Sequence, residues 1–510
     1  MTKHIFSFYT IFLLSLICSG NILAQQIING PFLADPGKTS MTIRWESDLK
    51  GDFHLDYGTG KKMNRSNTVK LIGQKNDRFL YEATLNKLRA GTKYTYSIKP
   101  GDGSALHVFK TTASKPPMTF AVLGDSRSKA RIFSAIASRI CDIDPTVIIA
   151  NGDLVANGGN PGQWHSQFFE PSKKMIDHIP FLSAVGDHES DNVDGDSAKL
   201  FTYYLFPHKD NMKLWFSYDI SNAHFIFLDW RYPDSNEMAD WFKKDAAGSD
   251  KKWKFVVMHR PPYNLGGHHV SWGKNIWPDL FQRYRIDVVF SGHSHLYERF
   301  YPIKPVTGQD TTWAVTYITT GGAGASLYEA TPSPSLAYTK SVNHFLKVDL
   351  GKDKINIKAI GVKGETLDSA SWNKKKGHID SKYLSTSFPK EEMDIINVFN
   401  SPISARMDRI PMVQVPYAPV IELDGRKIKE DVKFTIHLAE ESEGKYKMEP
   451  VTGVLKAGTI LKVRPKIYGR TTMTVSKWGT LSPVLRLIAD YKTRSFSGSV
   501  KGVRLEYISY

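Results

Sequence analysis

Residues 118–128 read MTFAVLGDSRS. A short apolar run stops at Gly124 and hands over to an aspartate. The same punctuation recurs downstream: PTVIIA (145–150), PFLSAV (180–185), WKFVV (253–257) and DVVF (287–290) are followed by GDLVANG (152–158), GDHES (186–190), MHRPPY (258–263) and GHSHLYER (292–299). Short, continuous runs rich in β-branched residues are expected of strands buried on both faces of a sheet. Side chains placed where such strands end converge on one rim. The groups delivered there are Asp125, Asp153, Asp187, His259, His293 and His295. That order of carboxylates and imidazoles outlines a two-metal site.

Between the runs lie helical patterns, ARIFSAIASRICDID, MADWFKKDAA and NIWPDLFQRYRI. Alternation of strand and helix predicts βαβ units and a layered α/β domain over 118–363, closed by the two-stranded end HFLKVDLGKDKINIKAIG. Upstream, residues 26–114 carry short alternating segments such as SMTIRWES, FHLDYGT and TKYTYSIKP, separated by Gly, Asp and Lys turns, which is the pattern of an all-β sandwich. Lys115-Pro116-Pro117 reads as a stiff linker. Residues 364–394 are polar without periodicity and read as a connecting segment, after which 395–510 return to short strands as a small C-terminal all-β domain. The expected protein is therefore multidomain.

The 510 residues, 41% hydrophobic and 12% aromatic, support several real cores and exclude a disordered or fibrous chain. A net charge of +16 raises the question of a nucleic-acid partner. The Lys and Arg residues are scattered, however, so no stable nucleic-acid complex is expected, and the charge reads as a basic surface that draws in anionic substrates. Residues 1–24 combine Lys3, an apolar run from Ile11 to Ile17 and a small-residue exit at Ala24, the pattern of a cleaved signal peptide. Anchoring as a lipoprotein through Cys18 is the alternative, against which Ile17 is bulky for the preceding position. No later segment reads as a transmembrane span. With the leader removed only Cys141 remains, so no internal disulfide is available, and the expected location is periplasmic or secreted.

Together, GDLVAN, GDHE, VVMHRPPYNLGGHH, VVFSGHSHLYERFYPI and YITTGGAG resemble the calcineurin-like metallophosphoesterases, and within them the purple acid phosphatases. The resemblance covers residues 26 to about 363, and LRAGTKYTY (88–96) is similar to the tyrosine corner of fibronectin type III modules. It implies a fibronectin type III-like sandwich ahead of an α/β/β/α four-layer domain with mixed sheets. It implies two divalent metal ions (Zn, Mn or Fe), with Asp153 bridging, Asp125 and His295 on the first, and Asp187, His259 and His293 on the second. It further implies His188 as the residue assisting the leaving group, and His268 and His269 as substrate histidines. The activity implied is hydrolysis of phosphate monoesters by attack of a metal-bridging hydroxide, with a small phosphate ester as substrate. Phosphodiesterase action on nucleotides or glycerophosphodiesters is the alternative within the same core. An alternative of another class is a weakened relic that binds a glycan or an envelope partner.

Three positions depart from the family pattern. Ala156 stands where purple members carry an iron-binding tyrosine, so the protein is not expected to be purple. Asp187 replaces the usual asparagine, and Arg127 stands where the wider superfamily often has a histidine. Three carboxylates and one bridging hydroxide balance two divalent ions. Arg127 is expected either to grip the phosphate or to pair with Asp187 or another carboxylate. Trp164, Trp230, Tyr232, Tyr263, Trp272 and Tyr297 are candidates for stacking on a leaving group, and Glu298 with Arg299 is expected to form an ion pair that fixes the histidine loop.

Overall fold

The computed structural model describes residues 27–60, 62–101, 105–190, 198–208, 213–268, 272–303, 313–330 and 336–374, and toward the C-terminus 410–411, 420–438, 446–469, 478–481, 485–491, 494–500 and 505–508. The signal-peptide reading, Cys18 and His269 lie outside these residues. No helix among the described residues is long and apolar enough to cross a membrane.

Residues 27–110 fold as two four-stranded antiparallel sheets. In one, Ile27–Ala34, Met41–Ser47, Arg78–Leu85 and Lys70–Lys75 are neighbours in that order; in the other, Lys62–Thr68, His54–Thr59, Lys93–Lys99 and His107–Lys110 are. Alternate residues Leu55, Tyr57, Tyr94, Tyr96 and Ile98 meet Met41, Ile43 and Trp45 in one apolar core, as a half-buried strand period of two requires. The Arg89 backbone N–H donates to the Tyr94 hydroxyl at 2.9 Å, tying the turn to the strand that follows it.

Residues 118–373 build two mixed sheets. The first, six-stranded, carries the parallel strands Phe181–Ser183, Val147–Ala150 and Met118–Leu123 and continues antiparallel through His344–Leu350, Lys354–Gly361 and Thr366–Asn373. In the second, seven-stranded, Ala223–Phe227, Trp253–Met258, Val288–Ser291 and Thr316–Thr320 are parallel at the centre. A shared core of Phe120, Val122, Phe225, Phe255 and Phe290 lies between the sheets, with Phe120 edge-on to Phe225 at 5.1 Å. Helix Ala130–Ile143 packs Phe133, Ile136 and Ile140 on the outer side of the first sheet, and Asn236–Gly248 packs Met238 and Phe242 on the outer side of the second. The layering puts every strand of the parallel runs between two apolar surfaces, which is why those runs are continuous rather than alternating.

Residues 366–373, expected to belong to a connecting segment, form a strand instead. Thr366–Asn373 is an edge strand pairing with Lys354–Gly361. Only Ala370 and Trp372 are buried on it, so TLDSASWN reads as polar although one face is held in the sheet. The last described residue of this part, Lys374, is buried against Asp287 at 2.6 Å and lies 5.0 and 5.1 Å from the rings of Trp253 and Trp313. Farther on, a separate core of Ile421, Phe434, Ile436, Leu455, Leu485 and Leu487 is built on the four-stranded sheet formed by Val451–Leu455, Val432–Leu438, Leu485–Tyr491 and Arg494–Val500 and on the pair Ile421–Asp424 with Ile460–Val463.

The sandwich is joined to the central part by buried polar contacts. Arg44 forks to Glu82 at 2.9 Å and Asp35 at 2.7 Å and donates to the Leu205 carbonyl, while the Tyr204 hydroxyl donates to Glu46 at 3.1 Å. Removing one partner of a buried pair leaves an uncompensated charge, which costs about 3 kcal/mol or more, whereas exposed pairs contribute about 0.5 kcal/mol. Arg44→Met is therefore expected to lower the denaturation midpoint strongly, and Lys99→Met, which breaks only the exposed pair with Asp56, to leave it nearly unchanged. Equal midpoints in urea melts of the two variants would refute the buried junction as a source of stability.

Candidate metal centre

Each of the six ligand candidates lies within four residues of the end of a strand. Asp125 comes two residues after Met118–Leu123, Asp153 after Val147–Ala150, His259 after Trp253–Met258, and His293 and His295 after Val288–Ser291. Asp187 opens the short helix Asp187–Ser190 beyond Phe181–Ser183. Three of the six have left-handed backbones, with φ of 57° at Asp125, 56° at Asp153 and 67° at His293. A non-glycine residue in that region costs about 1–3 kcal/mol and persists where its surroundings over-determine it. Here the parallel registers hold the strand ends. Gly186 also matters, because a Cβ there would collide with the Asp153 backbone nitrogen and carboxylate.

The side chains gather into two buried groups, Asp125, Asp153 and His295, and Asp187, His259 and His293, with ligand atoms within 4.8 Å of one another in each. Asp153 reaches toward both. Its Oδ1 lies 3.4 Å from His259 Nε2 in the other group, and its Oδ2 3.3 Å from Arg127 Nε. The backbone sets the imidazoles. His259 Nδ1 donates to the Asn151 carbonyl at 2.9 Å and His295 Nδ1 to the Ser326 carbonyl at 2.7 Å, which leaves Nε2 of each facing the carboxylates. His259 Nε2 is buried with no hydrogen-bond partner and lies 3.7 Å from Asp187 Oδ1. A buried nitrogen left unpaired among carboxylates is costly unless a cation takes it, and the oxygen and imidazole donors suit Zn, Mn or Fe.

Charge crowding shows in the titration of these groups. Burial works against the charged form of His259, yet Asp153, Asp187 and Asp125 hold it up at about 9. Burial would raise the Asp187 carboxyl, but His259, His293 and Arg260 keep it well below the usual range. Glu189 is fully buried and accepts from the backbone N–H groups of Asp153, Leu154, Val155 and Gly186 at 2.7–3.3 Å. Burial and then the Asp153 charge push it up to about 8. Its carboxyl fixes the Asp153 turn against the Gly186 turn without being a ligand.

Over the two groups opens a cavity of about 440 Å³. Its walls include His188, Arg127, Arg260, His268 and Tyr328. His188 Nδ1 donates to the Ala156 carbonyl at 2.7 Å, and its Nε2 is 3.8 Å from Asp153 Oδ2. His268 stacks on His293 at 4.3 Å, and burial followed by His293 and His295 pushes it down to about 4. Arg127 pairs with Asp153, and its Nη2 lies 3.4 Å from His295 Nε2. The guanidinium on Asp187 is instead that of Arg260, at 3.0 Å.

Two sequence expectations are corrected. Glu298 does not pair with Arg299. It accepts from Asn264 Nδ2 and from the Leu265 and Gly266 N–H groups, holding the loop that carries His268, while Arg299 forks to Asp368 at 2.6 and 2.9 Å. Burial pushes Glu298 up to about 7. Adjacent residues on a strand point to opposite faces, so the two side chains have separate partners. Of the six aromatic candidates, Trp164, Trp272 and Tyr297 are buried in the interior; Tyr232 and Tyr263 pack on the core of the second sheet. Trp230 alone reaches the rim, through Arg260. The aromatic ring in the cavity wall is Tyr328, stacked on His295 at 4.3 Å and absent from the sequence expectations. It lies outside the strand-end motifs, which gave no signal for it; Arg260 stood in plain view beside His259.

Residues 118–297, which include the six Asp and His side chains at the strand ends, match the family model described as calcineurin-like phosphoesterase. The relatives are purple acid phosphatases. Purple acid phosphatase 21 of Arabidopsis thaliana is 29% identical over 291 residues, covering 52% of this chain and 65% of that protein. Phosphoenolpyruvate phosphatase of Allium cepa is 27% identical, covering 48% of this chain and 57% of that protein. The chain thus spans about 65% of the length of the first and less of the second. Among solved structures, the purple acid phosphatase PPD1 of yellow lupin (Lupinus luteus) aligns with a TM-score of 0.59 at 20% identity, over 67% of this chain and 74% of that one.

Metal analysis of purified protein tests the site without reference to turnover. Wild-type protein is expected to hold two ions per chain, His268→Ala to keep both, and Asp153→Ala to lose most of the metal. Gly186→Ala removes no ligand atom yet is expected to lose metal as well, because it displaces Asp153. Full metal content in Gly186→Ala would contradict the close approach of the two turns.

Proposed function

We propose that this chain is an exported two-metal phosphoesterase that hydrolyses phosphate monoesters. The observation carrying the reading is the convergence of six ligand side chains in two buried groups, of which Asp153, Asp187, His293 and His295 line one cavity that Arg127 and Arg260 also line. Two divalent ions held there would polarise the phosphoryl oxygen and activate the attacking water. Asp153 is placed to serve both groups, Asp125 and His295 to complete the first, and Asp187, His259 and His293 the second.

The chain's own residues supply the rest. The Ala156 carbonyl holds His188 by Nδ1, so Nε2 is the nitrogen that hands a proton to the departing alcohol. Arg127 offers its guanidinium to the phosphoryl oxygens from the side of the first group, where it already touches Asp153 and His295. His268, held neutral, binds phosphoryl oxygen by hydrogen bonding rather than by charge. Six ligand side chains present together with His188 favour an enzyme over a relic, although Ala156 stands in place of the tyrosine. Export is supported by the charged, apolar and small-residue order of residues 1–24. A three-unit layout of sandwich, catalytic domain and C-terminal β domain is supported by apolar clusters confined to each part, beside one in which Phe32 and Leu80 of the sandwich pack with the central part.

Aryl phosphate hydrolysis by metal-loaded protein tests the reading. Asp153→Ala should abolish turnover, and His188→Ala should lower kcat by about 10²–10³, more for alkyl than for aryl leaving groups, as expected of lost general-acid help. An equal loss for good and poor leaving groups would remove His188 from that role. With Ala156 in place of a tyrosine, iron-loaded protein is expected to show no tyrosinate charge-transfer band in its visible spectrum.

A further inference from the structure

Arg260 is held on two sides. Its Nε and Nη2 fork onto the Asp187 carboxylate at 3.0 Å, and its Cζ lies 4.0 Å from the ring centroid of Trp230. The side chain keeps 32% of its exposure and lines the cavity. Its Nη1 has no hydrogen-bond partner among the described residues. Arg127 stands in the same cavity on the opposite ligand group. Each group of three ligands is thus attended by one guanidinium.

We propose that Arg260 is a substrate-binding residue that selects doubly charged phosphate monoesters over singly charged diesters. This rests on the phosphoesterase reading above and narrows its substrate class. Asp187 cannot spend its charge twice: where it serves a cation, Arg260 is left under-compensated and its positive charge is available to the substrate. The indole and the carboxylate fix the planar group in advance, so little side-chain freedom is lost when an oxyanion arrives. Coulomb attraction scales with the charge of the substrate. A dianion therefore loses twice the interaction free energy of a monoanion when Arg260 is removed, and its affinity falls by the square of the factor.

The test compares binding of phenylphosphonate with that of its monomethyl ester, by calorimetry on the metal-loaded full chain at about pH 9, above the second ionisation of the phosphonate, which lies higher than that of a phosphate ester. In Arg260→Met the monoanion is expected to weaken about 10-fold and the dianion about 100-fold. Arg260→Lys should restore much of the preference for the dianion. Metal content is measured on each variant. Equal weakening of both ligands in Arg260→Met, or equal affinity for both in the wild type, overturns the proposal and leaves Arg260 as a prop for Asp187. If Arg260→Met loses metal, Arg260→Lys decides the matter: a retained preference with both ions bound supports the proposal, and none overturns it. Turnover of phenyl phosphate by the wild type is read separately. Its absence would remove the phosphoesterase reading, while the phosphonate pair would still report on Arg260.

Discussion

Three carboxylates brought close together constrain everything around them. Asp125, Asp153 and Asp187 are all buried, and burial weakens the solvent screening of their charges. The neighbours are arranged as answers to that repulsion. His259 and His295 turn their Nε2 atoms toward the carboxylates, Arg127 lies on Asp153, and Arg260 lies on Asp187. Glu189 adds a fourth buried carboxyl and is tolerated because backbone N–H groups surround it. Protein atoms alone respond by holding a proton on His259, up at about 9. Cations resolve the same conflict more completely, since they bring greater charge to the same point.

The backbone is shaped by this crowding. A strand end in ordinary geometry would send Asp125, Asp153 and His293 away from the rim, and left-handed φ at each turns the side chain inward. The cost is met by the sheets, whose parallel registers leave no slack between Met118–Leu123, Val147–Ala150 and Phe181–Ser183. The glycine before each aspartate admits the next turn: Gly186 lies against Asp153, and Gly152 lies against Gly186. The repeated Gly-Asp pairs are therefore a packing requirement as much as a chemical one.

Much of this is legible in the sequence, since strand, stop and ligand are local. A continuous apolar run followed by Gly-Asp needs no distant partner to be read, and the ligand set follows from it. What escapes is decided by partners far along the chain. Thr366–Asn373 reads as a linker because only one of its faces is apolar, and its Asp368 is claimed by Arg299 and Tyr297, some 70 residues earlier. Tyr328 reaches His295 through tertiary folding alone. For Arg127 the sequence leaves both a phosphate and a carboxylate partner open, and which carboxylate it meets depends on the side from which each strand end approaches the rim.

Arg260 and Asp187 are best understood as one unit, together with Ala156. Relative to the purple acid phosphatase pattern, Ala156 removes one negative charge from the first group, and Asp187 adds one to the second. The total is unchanged and its distribution is reversed. A trivalent ion at the first group loses the anionic ligand that would favour it, which tilts the pair toward two divalent ions. The added charge at the second group has the guanidinium fork of Arg260 directly upon it. Without that fork Asp187 would stand against Asp153 with only imidazoles between them. The fork engages both oxygens of Asp187, Oδ1 from Nε and Oδ2 from Nη2 at 3.0 Å each, while Oδ1 also lies 3.7 Å from His259 Nε2 and the guanidinium lines the cavity.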